Sequence, residues 1–241
     1  MFPVYIGYDP REFGAFAVAS AMAWRRGATT VRGLFLAHLG DWYTRPTSWR
    51  DGQLWDDISA APMSTEFAIS RFLVPTIQRE GWAIFADCDM MFMSNFEDLA
   101  KYIEKEPDKV IWCVKHKQEP VVSRKMGGAP QTSYPRKNWS SFMLMNCSHP
   151  VIKAAFSLER VNTVPGRELH RFEGIPDELI GELDPKWNWL VDEPLLHPPS
   201  PHVVHYTTGG PWLSEYRDVP YAPFWREVAL GVAYELTWDK K

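Results

Sequence analysis

Short apolar runs that stop at Gly, Asp or Asn alternate along this chain with longer stretches whose apolar residues recur every three or four positions. The first run, PVYIGYD (3–9), is β-branched and aromatic and ends at Gly7, Tyr8 and Asp9, which predicts a strand closing in a turn. Residues 11–26 then place Phe13, Phe16, Ala17, Ala21 and Trp24 at spacings of three, one, four and three, the stripe of an amphipathic helix. A second strand is predicted at 31–37 (VRGLFLA). A helix is predicted over 64–80 with Ile69, Phe72, Leu73, Thr76 and Ile77 on one face, kinked at Pro75 because proline removes a backbone donor. Strand WAIFAD runs into Asp87, and helix 95–105, strands 109–115 and 140–146 and helix 148–159 continue the alternation.

Beyond residue 160 Pro, Trp and acidic residues become frequent. Only HVVHY (202–206) has the pattern of a strand there, and a last helix is predicted at 222–236. The segment 116–139 is rich in Gly, Pro and basic residues and predicts a long loop, of the kind that serves as a mobile lid over a site. Strands alternating with helices imply an α/β fold with a mixed, mostly parallel central sheet flanked by helices. At 241 residues the chain suits one domain, with a first half at about 1–115 and a second half at about 116–241.

Composition narrows the function. A formal net charge of −4 gives no field to recruit nucleic acid. Cys88, Cys113 and Cys147 sit in apolar stretches with neither disulfide nor zinc spacing, as expected of buried thiols in a cytoplasmic protein. The opening MFPVYIGYDPRE lacks the charged and apolar regions of a signal peptide, and no run approaches the roughly 18 apolar residues of a membrane span. The 12 Trp, many beside Pro, Asn or Gly, suit a core and also suit stacking on sugar rings.

Asp87 and Asp89 close an otherwise apolar strand. In a parallel α/β sheet ligands bind beyond the carboxyl ends of strands, and period-two alternation points both carboxylates to one side. Two hard oxygen ligands there suit Mg²⁺ or Mn²⁺ held together with substrate phosphates. A solvated turn after a buried strand is the plain alternative.

The stretch TEFAISRFLVPTIQREGWAIFADCDMMF resembles the approach to the Asp-x-Asp motif of GT-A glycosyltransferases, Rossmann-like nucleotide-diphospho-sugar transferases, above all the glycogenin-like and lipopolysaccharide galactosyltransferase-like family 8. VYIGYDPRE resembles that fold's opening strand and nucleotide-binding turn, and VVHYTTGGPW (203–212) its late His-Phe/Tyr-x-Gly-x-x-Lys-Pro-Trp segment. The resemblance implies that Asp89, with Asp87 directly or through water, and His205 coordinate Mn²⁺ or Mg²⁺. It implies that Asp87 reaches the donor ribose, that Tyr8 and Asp9 hold base and ribose, and that Arg71 touches the diphosphate or sugar. The family's lysine before Pro-Trp is absent: Gly210 precedes Pro211, so the backbone of Gly209 and Gly210, or a side chain such as Lys125 or Arg136, would have to face the phosphates. By weaker analogy Asn138, Ser140 or Ser141 faces the donor sugar. In LDPKWNWLVDEP (183–194), Asp184, Asn188, Asp192 and Glu193 are candidates, with Asn188 near the anomeric carbon and Asp192 near the acceptor.

The function implied by this resemblance is that of a metal-dependent transferase moving a sugar from a UDP-linked donor to a glycan, lipid-glycan or protein acceptor with retention at the anomeric carbon. A non-catalytic nucleotide-sugar or glycan binder is the alternative that the missing lysine raises. A haloacid-dehalogenase-like phosphatase also carries Asp-x-Asp, but on its first strand and with a Thr or Val soon after.

Overall fold

The computed structural model describes residues 1–116, 123–124, 130–131, 136, 138–192 and 200–238. Strand β1 (Pro3–Gly7) leads through a 3-10 turn into α1 (Phe13–Arg25) and β2 (Thr30–Leu34). A meander follows, β3 (Thr47–Arg50), β4 (Gln53–Asp56) and β5 (Ala61–Pro62). Next come α2 (Val74–Gln78), β6 (Trp82–Ala86), β7 (Met90–Phe92), α3 (Ala100–Lys105) and β8 (Ile111–Cys113). The pair β9 (Ser123–Arg124) and β10 (Pro130–Gln131) precedes β11 (Phe142–Asn146), α4 (Pro150–Ala155), α5 (Leu158–Thr163) and α6 (Gly166–His170). The last elements are β12 (Ile180–Glu182), β13 (Trp189–Leu190), β14 (Val203–His205) and α7 (Ala222–Trp238).

The central sheet has the order β12-β8-β11-β6-β1-β2, parallel throughout except for β11, which runs antiparallel between β6 and β8. This is the mainly parallel α/β sheet that the alternation of strands and helices predicts. Its middle is covered on both faces: Ala83–Ala86 and Phe142–Met145 are wholly buried, so their sequences are continuous apolar runs and not alternations. A second sheet, β13-β14-β7, stands at the carboxyl end of β6. Among the described residues no helix is long and apolar enough to cross a membrane.

Several local expectations change. Helix α1 buries Ala15, Val18, Ala19, Met22 and Ala23, whereas Phe13 and Trp24 stay 59% and 56% exposed. Both stripes have helical spacing; the face that carries three alanines with Val18 and Met22 turns inward, and Phe16 packs at its margin. Pro75 does not kink a long helix. It lies in the first turn of α2, where its missing N–H costs nothing, and a 3-10 turn, Ser70–Leu73, precedes it. The second strand stops at Leu34, and a 3-10 turn takes up Leu36–His38. Helix 148–159 is two helices, because the Ser157 hydroxyl caps a new one by accepting from the Arg160 N–H at 3.3 Å. Most of the predicted lid, with Lys125, lies outside the described residues, as does Glu193.

The meander is tied down by a buried ion pair. Arg45 holds Asp56 through two hydrogen bonds of 2.7 and 2.5 Å, and its Nη1 donates to the carbonyls of Val161 and Val164 around the end of α5. Both partners are almost fully buried. Asp56→Ala strands that guanidinium and is expected to cost about 3–5 kcal/mol in urea unfolding. Asp57→Ala, whose partner Arg50 is half exposed, is expected to cost less than about 1 kcal/mol. Small and equal losses would show that the buried pair does not anchor the meander.

Candidate functional site

Strand β6 delivers Asp87 to the carboxyl edge of the sheet, and the chain reverses through Cys88 and Asp89 into β7. Strand β14 pairs antiparallel with β7, Met90 opposite His205, and the Tyr206 N–H donates to the Asp89 carbonyl at 3.0 Å. That register brings the His205 ring to Asp89: Nε2 lies 3.2 Å from Oδ1. One ligand atom from each of Asp87, Asp89 and His205 falls within 4.8 Å of the others. The two carboxylates are partly exposed while Cys88 points into the core.

Two arms hold this group. In the first, Arg71 is buried, lies over the rings of Phe85 and Phe67 at 5.0 and 5.2 Å, and donates to the carbonyls of Ala68 and Ser140 at 3.1 and 2.9 Å. Its Nη1 is 2.8 Å from Asp87 Oδ1. In the second, Asn188 Oδ1 lies 2.8 Å from His205 Nδ1, while Asn188 Nδ2 donates to Ser141 Oγ at 2.8 Å and to the Asn138 carbonyl at 3.2 Å. Asn188 has no exposed surface. The structure thus places it behind the imidazole and not on the open side of the cluster.

The other sequence-derived candidates fall around this group. Tyr8 is half-buried, packed on Phe35 with centroids 4.4 Å apart and edge-on to Phe16 at 5.1 Å. Asp9 has no exposed surface and caps the following turn. It accepts from Arg11 N and Nε at 2.9 Å each, Arg11 Nη2 at 2.7 Å and Glu66 N at 3.1 Å. Burial alone would raise its carboxyl, but the Arg11 bonds outweigh that and hold it below the usual range. Asp192 is exposed and pins the chain after β14 by accepting from Thr207 Oγ1 at 3.1 Å and Thr208 N at 3.2 Å. Asp184 caps a turn through Lys186 N, and its own N–H donates to the Tyr102 hydroxyl on the α3 side of the molecule. Arg136 is committed to Asp177 and the Arg171 carbonyl. A Cβ on Gly209 or Gly210 would sit 2.4 Å from the Tyr216 ring or 2.0 Å from the Trp212 ring, so aromatic packing demands both glycines.

Three further groups near the site are unmarked in the sequence. His170 Nδ1 lies 2.8 Å from Ser140 Oγ, one residue from the serine that carries Asn188. His116 is a neutral ring, since burial and the neighbouring His205 push it down to about 4. Glu12, in the turn before α1, accepts from the Cys88 thiol at 3.1 Å. Burial, and then the charge of Asp89, push the Glu12 carboxyl up to about 8, against the pull of the Cys88 hydrogen bond. No local pattern signals these partners, because each lies far away along the chain.

The donor set suits a divalent cation: two hard carboxylates and one imidazole whose remote nitrogen is anchored. The 3.2 Å between Asp89 and His205 is close to the span of two ligands at about 2.1 Å from one ion at a near-right angle.

No protein-family model matches the chain. It is 40% identical over 231 residues to Protein CDI of Arabidopsis thaliana, covering 93% of this chain and 84% of that protein. Among solved structures it superposes on the bifunctional glycosyltransferase WbbM with a TM-score of 0.60 at 14% identity, covering 98% of this chain and only half of WbbM. The galactosyltransferase LgtC, solved with donor and acceptor sugar analogs, gives 0.55 at 12% identity, covering 95% of this chain and 96% of LgtC. The glycosyltransferase GlyE of Streptococcus pneumoniae gives 0.54 at 13% identity, with 98% and 63% covered. At such identities the likeness establishes a GT-A fold.

The raised Glu12 carboxyl has a pH consequence. Unfolded, it keeps its proton only below about 4.5; folded, it keeps it up to about 8. The folded state therefore binds the extra proton across that window, and the stability linked to Glu12 declines as pH rises through it. Glu12→Gln removes the decline. In metal-free thermal unfolding the stability of the variant relative to wild type is expected to climb across the window, and a pH-independent offset would show that Glu12 ionises normally.

Proposed function

The chain belongs to the family of Protein CDI from Arabidopsis thaliana, and from its fold and its Asp-Asp-His group we propose that it is a divalent-metal-dependent, family 8-like glycosyltransferase using a UDP-linked sugar. The observation that carries this is the convergence of Asp87, Asp89 and His205 at the carboxyl end of a central parallel strand. Those three residues would hold Mn²⁺ or Mg²⁺, which would supply neutralisation of charge on a leaving diphosphate.

The chain's own groups supply the rest. Arg71 stands against Asp87 and replaces, as the cation beside the diphosphate, the lysine absent at position 210. Tyr8 offers a half-exposed ring to the base, and Asp9, fixed by Arg11, orients the turn that carries it. Ser140 and Ser141 set the floor beneath the donor sugar, and Asp192 steers the chain after His205 toward the acceptor hydroxyl. Asp192 is tied to Thr207 and Thr208, and Asp184 caps a turn on the α3 side, so neither is assigned to double displacement, which favours retention with departure and attack on one face. The second reading, a binder without turnover, rests on Gly210 in place of lysine.

Nucleotide release from a panel of UDP-, GDP- and dTDP-sugars tests this. One UDP-sugar is expected to be consumed only with Mn²⁺ or Mg²⁺, and Asp89→Ala is expected to lose at least about 100-fold in rate. No turnover together with metal-dependent thermal stabilisation by UDP would establish the binder. Absence of both would remove the Asp-x-Asp turn from function.

A further inference from the structure

We propose that Asn188 is a positioning residue that fixes the tautomer of His205 and so aims its Nε2 at the cation. This rests on the metal site proposed above. The Asn138 carbonyl can only accept. It receives the Ser141 hydroxyl at 2.7 Å and Asn188 Nδ2 at 3.2 Å. Ser141 has then spent its one proton, so its Oγ can only accept the other Asn188 amide hydrogen, at 2.8 Å. With both hydrogens committed, the amide has one orientation, and the end facing His205 is Oδ1.

An acceptor 2.8 Å from Nδ1 requires the hydrogen on Nδ1. In the neutral ring Nε2 then carries a lone pair, and it lies 3.2 Å from a carboxylate oxygen of Asp89. Two electron-pair donors turned toward one another are satisfied by a cation between them. Ser141 serves the other side of the site as well, because its carbonyl accepts the backbone N–H of Asp87 at 2.9 Å. Asp87, Ser141, Asn188, His205 and Asp89 thus form one chain of contacts that starts and ends on a metal ligand. Asn188 touches neither ion nor substrate and acts through His205.

The test has two readouts. In metal-free, ¹⁵N-histidine-labelled wild type under mildly alkaline conditions, the His205 resonances, assigned against His205→Gln, are expected to show the Nδ1–H tautomer. An Nε2–H pattern would overturn the proposal without any variant. In Mn²⁺ titrations followed by electron paramagnetic resonance, Asn188→Leu is expected to weaken binding about 10–100-fold. Ser141→Ala should weaken it by a smaller factor, and Asn188→Asp, which keeps an oxygen facing Nδ1 but gives up both donated hydrogen bonds unless Ser141 turns its proton to the new carboxylate, should weaken it less than Asn188→Leu. Wild-type Mn²⁺ affinity in a folded Asn188→Leu, or equal losses in the Leu and Asp variants, would also overturn it. If Asn188→Leu does not fold, Ser141→Ala and the wild-type tautomer decide. Failure of the metal site itself looks different: wild type would take up no Mn²⁺, or Asp89→Ala would bind it as wild type does, while the tautomer would still report on Asn188.

Discussion

The antiparallel register of β11 on β6 is the constraint on which the site depends. Ala86 pairs with Phe142, so the residue after β6, Asp87, meets the residue before β11, Ser141, and donates its N–H to that carbonyl. The neighbouring serine, Ser140, presents its carbonyl to Arg71. Two adjacent residues at the start of one strand thereby support both sides of the acidic turn. A slip of one residue would move Ser140 and Ser141 along β6 and exchange the two faces of β11, separating both arms from their targets at once.

Electrostatics at this edge are out of balance in a consistent direction. Asp87, Asp89 and Glu12 gather at this edge, Glu12 buried and the other two partly exposed, and Arg71 is a cation that the fold brings to Asp87. Burial, and then the charge of Asp89, raise the proton affinity of Glu12, the most buried of the three, and it holds its proton. Asp9, only a few residues away in sequence, behaves oppositely because Arg11 and two backbone N–H groups surround it. Environment, not residue type, separates these carboxylates.

Legibility in the sequence tracked the distance over which each feature is decided. The strands β1, β6 and β11 were evident because full burial writes a continuous apolar run. The inward face of α1 was not, since aromatic residues at helical spacing outweigh alanines in any pattern, while the packing prefers the alanines. The meander carries no strand pattern in the sequence because its strands are short, carry Ser, Arg, Gln and Asp, and owe their anchorage to Arg45 reaching α5. At the site, Asp87, Asp89 and His205 all sit at strand ends and could be read as a set through the family resemblance. The position of Asn188 behind the imidazole, and those of Glu12 and His170, depend on partners far along the chain and leave no local trace.

The glycines after β14 tie neighbouring positions of the sequence together. Trp212 and Tyr216 fill the space that side chains at 210 and 209 would occupy. A lysine, or any other side chain, at position 210 would drive its Cβ into the indole, so that single substitution costs packing whatever the new group could do. Position 210 can therefore change only together with Trp212, and the two positions behave as one unit of sequence.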